Sequence, residues 1–200
     1  MHRGKAMAKT VERRRWNPWR LLGWGMAAGL LLLPLVAMQF TDEVVWDAFD
    51  FVFMGVLLGG VGVGLEFTFR RSGDLTFRIA AGVALATGFL LLWGNAAVGI
   101  IAERDEVRVP YVSVVAVALI GATLARFRPA GLARAMSATA LAQASLPVIL
   151  WAAGLASPAE VWSSRVAELT GFFVVLWMLA AVLFLKVARA RRPRPPLPIF

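Results

Sequence analysis

Two groups of polar residues interrupt an otherwise apolar chain, and they hold the residue types that could do chemistry. The first is Asp47, Asp50 and Asn95. Asp47 and Asp50 are three apart and share one face of a helix. The second is Glu66, Arg70 and Arg78, with Glu66 and Arg70 at the i,i+4 spacing that favours an ion pair. If the chain doubles back at residues 72–74, Glu66 comes level with Arg78, and Asp50 comes level with Asn95. An amide can donate to a carboxylate where lipid cannot. Asp50 and Asn95 are therefore expected to meet, as are Glu66 and Arg78 or Arg70. Two readings follow. The polar pairs clamp a helical hairpin, or Asp50 is a proton- or cation-binding carboxylate. The first is preferred, because every polar feature has a packing explanation.

Other chemistries lack their residues. The chain has no Cys and one His, His2. Thiolate metal sites, Fe–S clusters and Cys nucleophiles are excluded, and His-ligated haem, zinc sites and Ser-His-Asp triads are not expected. No enzyme motif is visible, so no catalytic residue, metal or cofactor is assigned.

The elements that must position these residues are membrane spans. Of 200 residues, 60% are hydrophobic and 16% charged. A soluble domain is typically about 45–50% apolar and about 25% charged. Six apolar blocks stand out at 21–40, 46–69, 77–102, 111–127, 132–155 and 166–187. Most have the roughly 17–25 residues that cross a hydrocarbon core as helix. Backbone amides cannot go unpaired in lipid, so helix is the expected form, and no alternating β-barrel segments occur. The fourth block is the shortest. The expected fold is all-α: a polytopic bundle of six transmembrane helices in three antiparallel hairpins. Its parts are a basic segment at 1–20, the transmembrane domain at 21–188 and a basic Pro-rich tail at 189–200. A cleaved signal peptide is rejected for the first block, whose apolar run is long and contains Pro34.

The net charge of +9 follows topology. Eighteen of the 21 basic residues fall in the N-terminal segment, at Arg70, Arg71 and Arg78, at Arg126, Arg128 and Arg134, and in the tail. The alternate loops hold Arg104, Arg108 and Arg165. This alternation is the positive-inside pattern. It predicts six spans with both termini cytoplasmic, and the 18 Arg against 3 Lys point to a GC-rich bacterial genome. Nucleic acid is not an expected partner. The lipid bilayer is, and other membrane proteins or a second copy are the candidate protein partners.

Within the blocks, Gly55, Gly59, Gly60 and Gly64 form two overlapping G-x-x-x-G pairs, expected to bring helices close together. Ser137, Thr139, Gln143 and Ser145 precede Pro147 in the fifth block. Gln143 is expected near mid-bilayer, hydrogen-bonding between helices. Thr170 and Glu168 are expected to cap the outer end of the sixth block. Trp93 and Trp177 are expected to pack between helices.

A resemblance can be stated on particular residues. Asp50-Phe51, Gly55-Val56-Leu57-Leu58, Gly62, Glu66, Arg78, Trp93, Asn95, Val98-Gly99-Ile100-Ile101, Tyr111 and Ala125-Arg126-Phe127-Arg128-Pro129 resemble a group of small multi-pass bacterial inner-membrane proteins without an assigned activity. The resemblance spans about residues 50–129. It implies a helical membrane protein and no chemistry. The functional expectation is a structural or accessory subunit or interaction protein. The alternative is a small proton- or cation-coupled permease using Asp50.

Overall fold

The computed structural model describes residues 18–98 and 105–191. The basic segment up to residue 17, the charged loop residues Glu103 and Arg104, and the Pro-rich stretch from residue 192 lie outside them. The described residues form helices joined by turns, with no strand among them. The helices are α1 (Pro18–Ala37), α2 (Ala48–Arg71), α3 (Leu75–Val98), α4 (Asp105–Leu124), α5 (Pro129–Ala152), the single turn α6 (Pro158–Val161) and α7 (Ser164–Ala190). Each apolar block coincides over most of its length with one long helix, and residues 99–102 of the third block lie outside the described residues. Five of these, α1, α2, α3, α5 and α7, are long and apolar enough to cross a membrane. The apolar part of α4, Pro110–Leu124, is shorter.

Local chemistry explains the helix starts. At α2 the Asp47 carboxylate accepts from Asp50 N at 2.9 Å, and Asp47 N donates back to the Asp50 carboxylate at 3.0 Å. This is a capping box. Trp46, just before the cap, meets Phe51 edge-on at 5.3 Å, as a hydrophobic staple does. Ser157 and Glu160 make a second capping box at α6, and Ser163 caps α7. Thr170 and Glu168 do not cap that end. The N-cap hydroxyl of Ser163 is nearer the amides that need it.

The packing is not organised hairpin by hairpin. The most extensive contact is α5 on α7, followed by α3 on α7 and α4 on α5. α2 lies against α3, and the main neighbour of α1 among the described residues is α2. The core therefore sits among α3, α4, α5 and α7. One stripe of α7 (Phe173, Trp177, Ala180, Phe184 and Val187) is buried, and Phe184 meets Phe77 of α3 edge-on at 5.4 Å. Small residues set the close approaches. A Cβ on Gly121 would come within 2.7 Å of the Ala135 Cβ, so α4 and α5 nearly touch there. Trp177 is buried as expected, but Trp93 is exposed on the surface of α3, where it stacks on Phe89.

The turns at one end are tied together. In the 72–74 turn, Asp74 caps α3 by accepting from Phe77 N at 3.2 Å. Arg78 Nε donates to the Ser72 carbonyl at 2.8 Å. Arg191, just past α7, donates to Ser72 Oγ at 3.1 Å. Between α4 and α5, Arg126 and Phe127 hold positive φ angles of 48° and 56°. Such angles are costly for residues with a Cβ and persist only where neighbours enforce them. Here Arg71 donates to the Arg126 carbonyl at 3.0 Å, and its guanidinium lies over the rings of Phe67 and Phe127.

Candidate functional site

The structure divides the two expected polar groups differently. Asp50 and Asn95 do not bond. Both hydrogen bonds of Asp50 are local, to and from Asp47. Asn95 is buried on α3. A cheaper partner for the Asp50 carboxylate lies at the start of its own helix. The first-turn amides of α2 lack intrahelical acceptors, and a carboxylate three residues past the cap satisfies one with almost no loss of chain entropy. The signal was present as Asp-x-x-Asp ahead of an apolar run. Two carboxylates at the α2 N-terminus, and Arg70 and Arg71 in its last turn, also complement the helix dipole.

Glu66 does form an ion-pair cluster. Its carboxylate pairs with Arg70, as the i,i+4 spacing predicts, and with Arg20 of α1. Arg78 is not in the cluster. It bonds the Ser72 and Phe69 carbonyls and lies 4.8 Å from the centre of the Phe69 ring. A guanidinium at a helix start reaches the orphan carbonyls of the preceding helix end, and Arg78 is used there. Glu66 thus joins α1 to α2 rather than α2 to α3.

The α2 glycines face three ways. Gly55 and Gly62 lie against α1, where Leu31 and the Trp24 ring approach. Gly64 lies against Leu85 of α3, whose methyl would sit 2.8 Å from an added Cβ. Gly59 and Gly60 have nothing within 4 Å. The expectation that the two G-x-x-x-G pairs form the tight interface is therefore corrected. Seven-residue spacing puts Gly55 and Gly62 on the α1 side, and the closest backbone approaches belong to Gly121 and Gly131.

The interior holds polar groups that the chain leaves poorly served. Gln143 is 0% exposed, and neither its amide nitrogen nor its oxygen has a hydrogen-bond partner among the described residues. The expected bond between helices is absent. Pro147, four residues on, also removes the amide that would bond the Gln143 backbone carbonyl. Thr139 is satisfied, donating to Ala135 O at 2.9 Å. The Tyr111 and Thr170 hydroxyls face each other across α4 and α7, outside good hydrogen-bond geometry. Trp177 Nε1 is likewise buried without an acceptor. Among the described residues, no three of His, Asp or Glu come together as a metal site. Comparison of the chain with protein-family models, with curated proteins and with solved structures finds no match.

Proposed function

We propose that this chain is a multi-pass protein of a bacterial inner membrane that works by association, as an accessory or interaction subunit. The observation that carries the reading is an unused helix face. Val52, Val56, Gly59, Gly60 and Val63 lie within one stripe of α2 at 100° per residue. The valines are 64%, 68% and 61% exposed, and the two glycines have open space before them. A glycine facing lipid gives up about 1 kcal/mol of helix propensity relative to Ala and gains no packing. Against another helix it allows close backbone approach, which drives association where there is no hydrophobic effect between spans. The occupant proposed is a transmembrane helix of another chain, a second copy included.

Six crossings and cytoplasmic termini belong to the same reading. α4 has 20 residues and is about 30 Å long, but its apolar part, Pro110–Leu124, supplies only about 22 Å of that, so the sixth crossing rests on the charge alternation rather than on helix length. Basic residues alternate across the turns. Cysteines introduced at Gly73 and Asp42 should label from opposite sides of the membrane.

The association test uses the absence of native Cys. Val56→Cys and Val63→Cys should cross-link in native membranes, to a doubled mass for self-association or another mass for a partner. Gly60→Leu should abolish the adduct. The absence of any adduct at both positions would sink the proposal. A channel-like or permease reading is favoured only by the stranded interior atoms of Gln143 and Trp177. Asp50 lends it no support, since its carboxylate is engaged in a helix cap. Proton or cation flux in proteoliposomes tests it.

A further inference from the structure

An open recess of about 400 Å³ lies at one end of the bundle, walled by Arg71, Ser72, Phe77, Phe127, Arg128 and Arg191. Its residues come from places far apart in sequence: the last residue of α2, the start of α3, the α4–α5 turn and the residue after α7. Helix ends meet at this level, so in a membrane-spanning chain it is the level of lipid headgroups.

The recess is cationic. Three guanidiniums line it, and among the described residues the acid paired with them is Asp74, whose carboxylate is 3.9 Å from Arg191. Each guanidinium carries five N–H donors. Arg71 uses one on the Arg126 carbonyl, and Arg191 uses one on Ser72 Oγ. Arg128 pairs with no acid among the described residues. The aromatic rings fix the cations. Arg71 stacks over Phe67 and Phe127, and Arg191 lies 5.7 Å from the Phe77 ring centre. Stacking orients a planar guanidinium and leaves its edge donors free.

Two further features present the same wall. Arg128 is the N-cap residue of α5, Pro129 follows it, and no side chain caps that helix start. The open amides and the dipole of α5 therefore add to the attraction for an anion. The left-handed turn at Arg126 and Phe127 swings Phe127 under Arg71 and turns Arg128 to the recess rim. Gly131 makes the turn possible, since an added Cβ would lie 2.6 Å from Ala125 Cβ and 3.1 Å from its Cα. Left-handed backbone at Arg126 and Phe127 thus lies beside three gathered positive charges, whose mutual repulsion a bound anion would relieve.

We propose that this recess binds a phosphate group, placed to receive the headgroup phosphate of an anionic phospholipid. Guanidinium forks match phosphate oxygens in pairs. The Phe77 and Phe127 rings supply an apolar floor for the glycerol end. A free phosphate offers the same oxygens, so the experiment separates the sources.

The full chain is purified in a neutral maltoside detergent. Thermal midpoint and lipid retention in native mass spectrometry are measured with phosphatidylglycerol, phosphatidylcholine or inorganic phosphate, at constant ionic strength. Phosphatidylglycerol should raise the midpoint and stay bound, while phosphatidylcholine should do neither. Arg128→Gln removes a side chain with no acid partner, so the fold should survive. It should weaken phosphatidylglycerol about tenfold, the loss of one charge-assisted contact. Arg191→Gln should add to that loss. Stabilisation by inorganic phosphate that Arg128→Gln abolishes would support the site with a soluble ligand. Equal effects of the two lipids, or full phosphatidylglycerol affinity in Arg128→Gln, would overturn it.

Discussion

Replacing Gln143 with methionine should stabilise the protein. Gln143 is fully buried on α5, with both side-chain polar atoms lacking partners among the described residues. A buried amide without a partner costs about 1–3 kcal/mol in protein mutational series. Methionine has a similar volume and shape, so no cavity or clash offsets the gain. The unfolded reference of a membrane protein also sits in detergent or lipid, where the amide finds other partners, so the lower half of the range applies. The expected gain is about 1–2 kcal/mol, or roughly 2–8 °C in thermal midpoint for a chain of this size. The assay is unfolding in detergent followed by circular dichroism. Thr139→Val, one turn away, is the control. The Thr139 hydroxyl is satisfied by Ala135 O, so its loss should give no comparable gain. If Gln143→Met lowers stability by more than about 1 kcal/mol, the amide is bound in the working protein and the reasoning fails.

Three further outcomes follow from the geometry. Glu66→Gln should lower detergent stability; in double-mutant cycles its loss should be non-additive with Arg20→Gln and Arg70→Gln and additive with Arg78→Gln, which measures the pairing directly. Asp50→Ala should cost about 0.5–2 kcal/mol through the lost capping box, and Asp50→Asn distinctly less, since an amide oxygen can still accept from Asp47 N; equal costs would discount the cap. Gly121→Ala should destabilise, because overpacking against Ala135 costs about 1–3 kcal/mol against a propensity gain of about 1, whereas Gly60→Ala faces open space and should not; thermal unfolding of both variants compares them.

Secondary structure was legible because the bilayer makes it a local problem. Every amide in lipid must bond within its own segment, so an apolar run of span length is a helix whatever surrounds it. That logic located the six long helices and the turn at 72–74, to within about four residues at the ends except at α4, which begins at Asp105 rather than at 111. It also placed Glu66 beside Arg70, a contact internal to one helix. The capping box of Asp47 and Asp50 was equally local and readable as Asp-x-x-Asp, although matched depth on the hairpin pointed Asp50 to Asn95 instead.

What the tertiary structure alone decided is rotation and neighbourhood. A helix that is apolar around its whole circumference carries no stripe to say which face turns inward. The five glycines of α2 could not be sorted among α1, α3 and open space until those helices were in place. Arg20 reaches Glu66 across 46 residues, and Arg191 reaches Ser72 across 119. No periodicity encodes such separations. The first arises because α1 packs against α2, and the second because α7 packs between α3 and α5, which brings its end over the turn that joins α2 to α3. Three arginines from three separate segments meet around one opening for the same reason.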